Sequence, residues 1–152
     1  MKWISLGASF TVHTVHNSQF NMKVSVFDTY VRKANSDTAH FDIIVPEGKN
    51  SLEEVIAFGK NYLESIGEVN RNIATTECQF CHIEEPTAEM LEDIGRQGYH
   101  VLVMEDIPAV LPTNPTRRNL IEHIRAKSMN LRFANFKGRT EDELREMVAN
   151  LP

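Results

Sequence analysis

The stretch Lys23-Val-Ser-Val-Phe-Asp-Thr-Tyr-Val31 decides the fold of this chain. β-Branched and aromatic side chains alternate along it with polar ones, which is the period-two pattern of a β-strand. A turn-forming cluster occupies residues 34–37, and a second strand-like run extends from Thr38 to Val45. Two such runs on either side of a short turn predict a β-hairpin.

The patterns that follow the hairpin place two helices and two further strands. Ser51-Leu-Glu-Glu54 is a capping box, and it begins a helix that we expect to end at Gly67. We predict a strand over 73–83, a helix over 86–98 and a buried strand over the apolar run 99–104. The order β-β-α-β-α-β predicts an α+β fold, in which helices pack on one small sheet.

Charge divides the 152 residues unevenly, although the net charge is only −5. Residues 1–114 carry 8 basic and 16 acidic side chains, and residues 115–152 carry 8 basic and 5 acidic ones. Three prolines lie where the balance changes. We therefore predict an N-terminal extension (1–21), an α+β core domain (22–106), a proline-rich linker (107–115) and a helical C-terminal extension (116–152).

Cys78-Gln-Phe-Cys-His82 contains both cysteines of the chain. Two thiolates at this spacing can hold one zinc ion, and a closed structural site needs two more ligands. His82 follows directly, and His40 lies on the predicted hairpin. The zinc hypothesis therefore names Cys78, Cys81, His82 and His40 as metal ligands.

The same spacing admits three other interpretations. Cys78 and Cys81 suit a thiol–disulfide redox enzyme, although Glu77, Glu84 and Glu85 oppose thiolate formation. Covalent haem attachment needs an export signal, which the N-terminus resembles only faintly, so we expect a cytoplasmic protein. In the last interpretation, the two cysteines are buried core residues of a strand, because free cysteine is among the most often buried residue types. Residue types alone leave these alternatives open.

Asp28 and Asp42 lie on the two strands of the predicted hairpin. Neighbouring carboxylates can share acid–base work, or they can form a hydrogen-bonded pair across the hairpin. We favour the hydrogen-bonded pair, because no nucleophile accompanies them.

No apolar run approaches the roughly 20 residues that cross a bilayer, so we expect no membrane partner.

The C-terminal extension contains a basic run interleaved with two phenylalanines, Phe133 and Phe136. Its cationic residues are Arg117, Arg118, Arg125, Lys127, Arg132, Lys137 and Arg139. Such a run can bind single-stranded nucleic acid, or it can dock on an acidic domain. We favour docking onto the core of the same chain or of a second copy, which would make a homo-oligomer.

Several motifs together resemble a known bacterial family. They are Phe27-Asp-Thr-Tyr-Val31, His40-Phe-Asp42, Glu77-Cys-Gln-Phe-Cys-His82 and Gly98-Tyr99, within residues 22–106. The family is DUF2024, a domain of unknown function, and the resemblance implies a small α+β domain with no established activity. We therefore expect a non-enzymatic cytoplasmic domain that binds zinc, or a partner, around the cysteine motif.

Overall fold

The computed structural model describes residues 21–152, so the predicted N-terminal extension lies outside the described residues apart from Asn21. The fold is α+β, and the elements follow the predicted order. They are β1 (Val24–Arg32), β2 (Thr38–Pro46), α1 (Leu52–Ser65), β3 (Cys78–Glu84), α2 (Ala88–Gln97), β4 (His100–Val103), α3 (Arg117–Lys127), a 3-10 turn (Met129–Leu131) and α4 (Glu141–Ala149).

The strands form one antiparallel sheet in the order β3-β1-β2-β4. The predicted hairpin is confirmed, and its ladder pairs Val24 with Pro46 and Arg32 with Thr38. Because side chains alternate along a strand, the hairpin offers one set of residues to each face of the sheet.

Helix α1 covers one face with an apolar core. The buried residues of this core are Val31, Ala39, Phe41, Ile43, Val45, Val55, Ile56, Leu63, Ile73 and Cys78. Gly59 allows the helix to approach closely, since a Cβ there would lie 2.7 Å from Ile73 Cδ1 and 2.8 Å from Ile43 Cδ1. This face is therefore closed and tightly packed.

The opposite face has two separate covers. Helix α2 covers one end, where Val24, Val26, Ile44 and Met90 form a small buried cluster. The C-terminal extension covers the other end, where Tyr30 packs against Phe133. The extension has a core of its own, made of Leu120, Ile124, Phe136 and Leu144. A polar strip of the sheet lies between the two covers.

Two strands differ from their predictions. β3 begins at Cys78, five residues later than expected, because residues 74–77 form a turn in which Glu77 N donates to Ala74 O at 2.8 Å. β4 is an edge strand rather than a buried one, and Val103 is 59 % exposed. A short apolar run does not by itself show whether the strand lies in the centre of a sheet or at its edge.

The segment after β4 carries the chain back across the end of the hairpin. Thr38 and Ile107 exchange two backbone hydrogen bonds of 2.9 and 2.8 Å, and Ala109 N donates to Asp37 Oδ1 at 3.0 Å. These bonds bring α3 over Tyr30 and His40. None of the helices within residues 21–152 combines the length and apolarity needed to cross a membrane.

Candidate functional site

Asp28, His40 and Asp42 form a cluster in the polar strip. One oxygen or nitrogen of each side chain lies within 4.8 Å of those of the other two. Asp28 and Asp42 stand directly opposite each other in the β1–β2 ladder. His40 shares their face, because it precedes Asp42 by two residues on the same strand. The hairpin alone therefore assembles this cluster.

The His40 ring is held from several sides. Its Nε2 lies 2.7 Å from Asp28 Oδ1, and its Nδ1 lies 3.5 Å from Glu122 Oε2. The ring stacks on Tyr30 with a centroid distance of 4.1 Å, and Tyr30 donates its hydroxyl to Glu122 Oε2 at 3.4 Å. The C-terminal extension therefore helps to orient a histidine of the core domain.

The carboxylates of the cluster repel one another. The pKa of Asp42 is raised to about 6, first by partial burial and then by the negative charge of Asp28. The hydrogen bond between the two carboxyl groups acts in the same direction, since it favours a protonated Asp42. A cation placed here would relieve this repulsion and replace the proton.

The two cysteines lie on opposite faces of the sheet. Cys78 is fully buried in the core beneath α1, opposite Thr29. Phe80 then pairs with Phe27 and His82 with Val26, so Cys81 occupies a β-bulge.

Cys81 is exposed on the side of the carboxylate cluster, where partial burial and then Asp28 and Asp42 raise the pKa of its thiol. Burial raises the pKa of the Cys78 thiol as well. The structure does not bring Cys78, Cys81 and His82 together as three ligands.

His82 is exposed, and its Nε2 lies 3.0 Å from Glu84 Oε2. Of the four residues named by the zinc hypothesis, His40 is the one that belongs to the observed cluster. Asp28 and Asp42 were predicted as neighbours and not as ligands. The pattern that points to them is an aspartate opposite a His-x-Asp pair within one hairpin. Glu122 gives no such local signal.

Part of the basic run is occupied by contacts within the chain. Arg132 is buried, its guanidinium lies 3.8 Å from Glu77 Oε1, and it stands over the Tyr30 ring. Arg117 donates to backbone carbonyls, and Arg125 lies 3.4 Å from Glu122. Phe136 is buried and so is not free to stack on a base. The extension therefore docks on its own core domain in this structure.

A model of the family described as a domain of unknown function (DUF2024) matches residues 22–104. The chain belongs to the DUF2024 family. The NMR structure of protein NE1680 from Nitrosomonas europaea is 36% identical; the alignment covers 55% of this chain and 96% of that one, with a TM-score of 0.49. No curated protein matches the chain significantly.

The predicted resemblance is thus confirmed. The DUF2024 match contains the whole cluster of Asp28, His40 and Asp42, whereas Glu122 lies beyond it. The family domain therefore supplies the three clustered side chains, and residues 105–152 add Glu122, which contacts His40.

Proposed function

We propose that this protein is a small cytoplasmic binding domain that holds one divalent cation, best a zinc ion, at Asp28, His40 and Asp42. The observation that carries the proposal is the mutual approach of the three ligand atoms to within 4.8 Å. Zinc bonds to oxygen and nitrogen are about 2.0–2.2 Å long, so two ligands of one ion lie within roughly 4.4 Å. Small side-chain rotations would close the remaining gap.

Charge also favours this site. Two carboxylates and a neutral imidazole balance the double charge of the ion, and all three groups suit zinc. Since the ion would take the place of the Asp42 proton, binding should weaken as the pH falls through about 6. Three protein ligands leave a fourth position for solvent or for a further ligand.

The thiol–disulfide alternative is less favoured by the same geometry. A dithiol enzyme needs two neighbouring sulfurs and one thiol with a lowered pKa. Cys78 and Cys81 lie on opposite faces, and the pKa of each is raised. Both thiols are free, which is compatible with the reducing cytoplasm that we propose.

The decisive experiment compares the two candidate ligand sets in zinc titrations of the full chain at neutral pH, after treatment with chelator. Asp28→Asn, His40→Gln and Asp42→Asn should each weaken zinc binding by at least tenfold, since even loss of an outer-shell partner costs about 10–100-fold. Cys81→Ser and His82→Gln are the matched controls and should bind like the wild type. Circular dichroism would verify that each variant is folded.

Two results would overturn the proposal. Wild-type protein that fails to bind zinc at micromolar concentration would remove the metal site altogether. Binding that is lost in Cys81→Ser and retained in Asp42→Asn would instead place the ion at the cysteine motif.

A further inference from the structure

A cleft lies between the segment 105–112 and helix α3, on the side of His40 that faces Glu122. It encloses about 450 Å³ of empty space, part of it open to solvent. Of its twelve lining residues, His40 alone belongs to the family match, and the other eleven fall within 105–123. The cleft is therefore made by the part of this chain that lies beyond the DUF2024 match.

One buried acceptor in the wall has no partner. His123 is only 9% exposed, and no hydrogen bond reaches its Nδ1. Burial and the nearby Lys127 lower the pKa of the His123 ring. A neutral imidazole that donates through one nitrogen offers the other as an acceptor. A buried polar atom without a partner is uncommon, and this one is out of reach of solvent.

The charges of the cleft are of both signs. Within the described part of the chain, Asp106 pairs with Lys33 and Glu122 pairs with Arg125. Glu105 and Arg118 line the same cleft and form no ion pair with each other or with another described residue. After this pairing, one carboxylate and one guanidinium remain available to a ligand.

The remaining wall is apolar, with contributions from Pro108, Val110 and Leu111. A carboxylate suits an ammonium group, a guanidinium suits a carboxylate, and an apolar wall suits an aliphatic side chain. We propose that the cleft binds a small zwitterion of the amino-acid type with an aliphatic side chain. Its carboxylate lies at Arg118, and its ammonium group lies toward Glu105.

The test uses leucine as the probe and two analogues of similar shape as controls. The analogues are 3-methylbutylamine, which lacks the carboxylate, and 4-methylpentanoate, which lacks the ammonium group. Two-dimensional NMR of the full chain should show leucine shifting the amides of residues 105–123, with a Kd of about 1 mM. Each analogue should bind about tenfold more weakly, because one charged hydrogen-bonding group is missing.

Arg118→Ala and Glu105→Gln should each weaken leucine binding by about tenfold, and both positions are exposed, so both variants should fold. Arg139→Ala, in the same extension and outside the cleft, is the matched control. Measuring in chelator keeps the result independent of the proposed zinc site.

Leucine that causes no shifts in the 105–123 amides would overturn the inference. Analogues that bind as well as leucine would also overturn it, since neither the carboxylate nor the ammonium group of the ligand would then contribute to binding. The same holds if Arg118→Ala binds leucine as tightly as Arg139→Ala does.

Discussion

The two faces of the sheet use the same hairpin and differ in chemistry. On the face beneath α1, the hairpin contributes Val31, Phe41 and Ile43 to one continuous apolar core. On the other face, Asp28 and Asp42 interrupt the buried side chains. One helix closes the first face, whereas α2 and the C-terminal extension share the second and leave a strip between them.

This difference shows where such a small domain can place charge. A carboxylate enclosed in the α1 core would cost several kcal/mol, because nothing there could hydrogen-bond it. In the strip the carboxylates stay half-buried, close to His40 and within reach of solvent. The gap between the covers therefore concentrates the polar chemistry without weakening the core.

The largest expected effect is on the closed face. Phe41→Ala should lower the free energy of unfolding by about 3–5 kcal/mol, because it opens a cavity beneath α1. Val103 stands directly opposite Phe41 in the β2–β4 ladder and is largely exposed. Val103→Ala should therefore change stability by no more than about 0.5 kcal/mol. Urea unfolding measures both, and similar losses would contradict the contrast between closed core and open edge.

A pair of glycines tests how tightly each helix is packed. Gly59→Ala in α1 should destabilise the protein by about 1–3 kcal/mol, since the new methyl group would press on Ile43 and Ile73. Gly95 in α2 has nothing within 4 Å of a built Cβ. Gly95→Ala should therefore stabilise the protein by about 0.5–1 kcal/mol. Opposite shifts in Tm are expected, and a Gly59→Ala variant that is stabilised like Gly95→Ala would show that α1 is not closely packed at Gly59.

Asp42 should make the metal-free protein less stable as the pH rises. Its folded-state pKa of about 6 lies above the ordinary 3.8, so the folded protein holds this proton more tightly than the unfolded chain does. The stabilisation is complete below about pH 4 and is lost as the pH rises through about 6. Allowing for solvent screening, the loss should be about 1 kcal/mol.

Asp42→Asn removes that titration. Urea midpoints of wild type and variant, both in chelator, should diverge in favour of the variant between pH 4 and 6. A constant difference across this interval would mean that Asp42 titrates normally.

The smallest effect concerns reactivity. Iodoacetamide should modify Cys81 in the folded protein and Cys78 only after unfolding, because Cys81 is exposed and Cys78 is buried. Modification of Cys81 should be slow at neutral pH, since the pKa of its thiol is raised. Mass spectrometry after timed labelling gives both rates. Equal labelling of the two thiols in the native state would contradict their placement on opposite faces.

Local patterns carried most of the fold prediction. The alternation in β1 and β2 predicted the hairpin, and the capping box at Ser51 predicted the start of α1, which the structure has. The extension over 116–152 was predicted to be helical, but α3 ends at Lys127 and a separate 3-10 turn begins at Met129. Periodicity does not locate the end of a helix unless a stop signal accompanies it.

Only the part of the site that lies within the β1–β2 hairpin could be predicted from the sequence. The placement of Asp28 beside Asp42 followed from the two strands, and His40 was named as a ligand. The two cysteines lie on opposite faces because β3 has a bulge at Cys81, and no residue type in the sequence predicts that bulge. Glu122 reaches His40 through tertiary packing across 82 positions of sequence, a distance over which residue patterns carry no geometric information.

The bulge at Cys81 also changes the edge of the sheet. β3 is at the edge of the sheet, and within residues 21–152 no strand pairs with its outer side. Phe80 and Ile83 are exposed along it. A straight apolar edge of this kind recruits other strands and leads to aggregation, and a bulge discourages this by twisting the backbone out of register. The irregularity that places a thiol beside the carboxylates therefore also makes the strand a poor template for fibre growth.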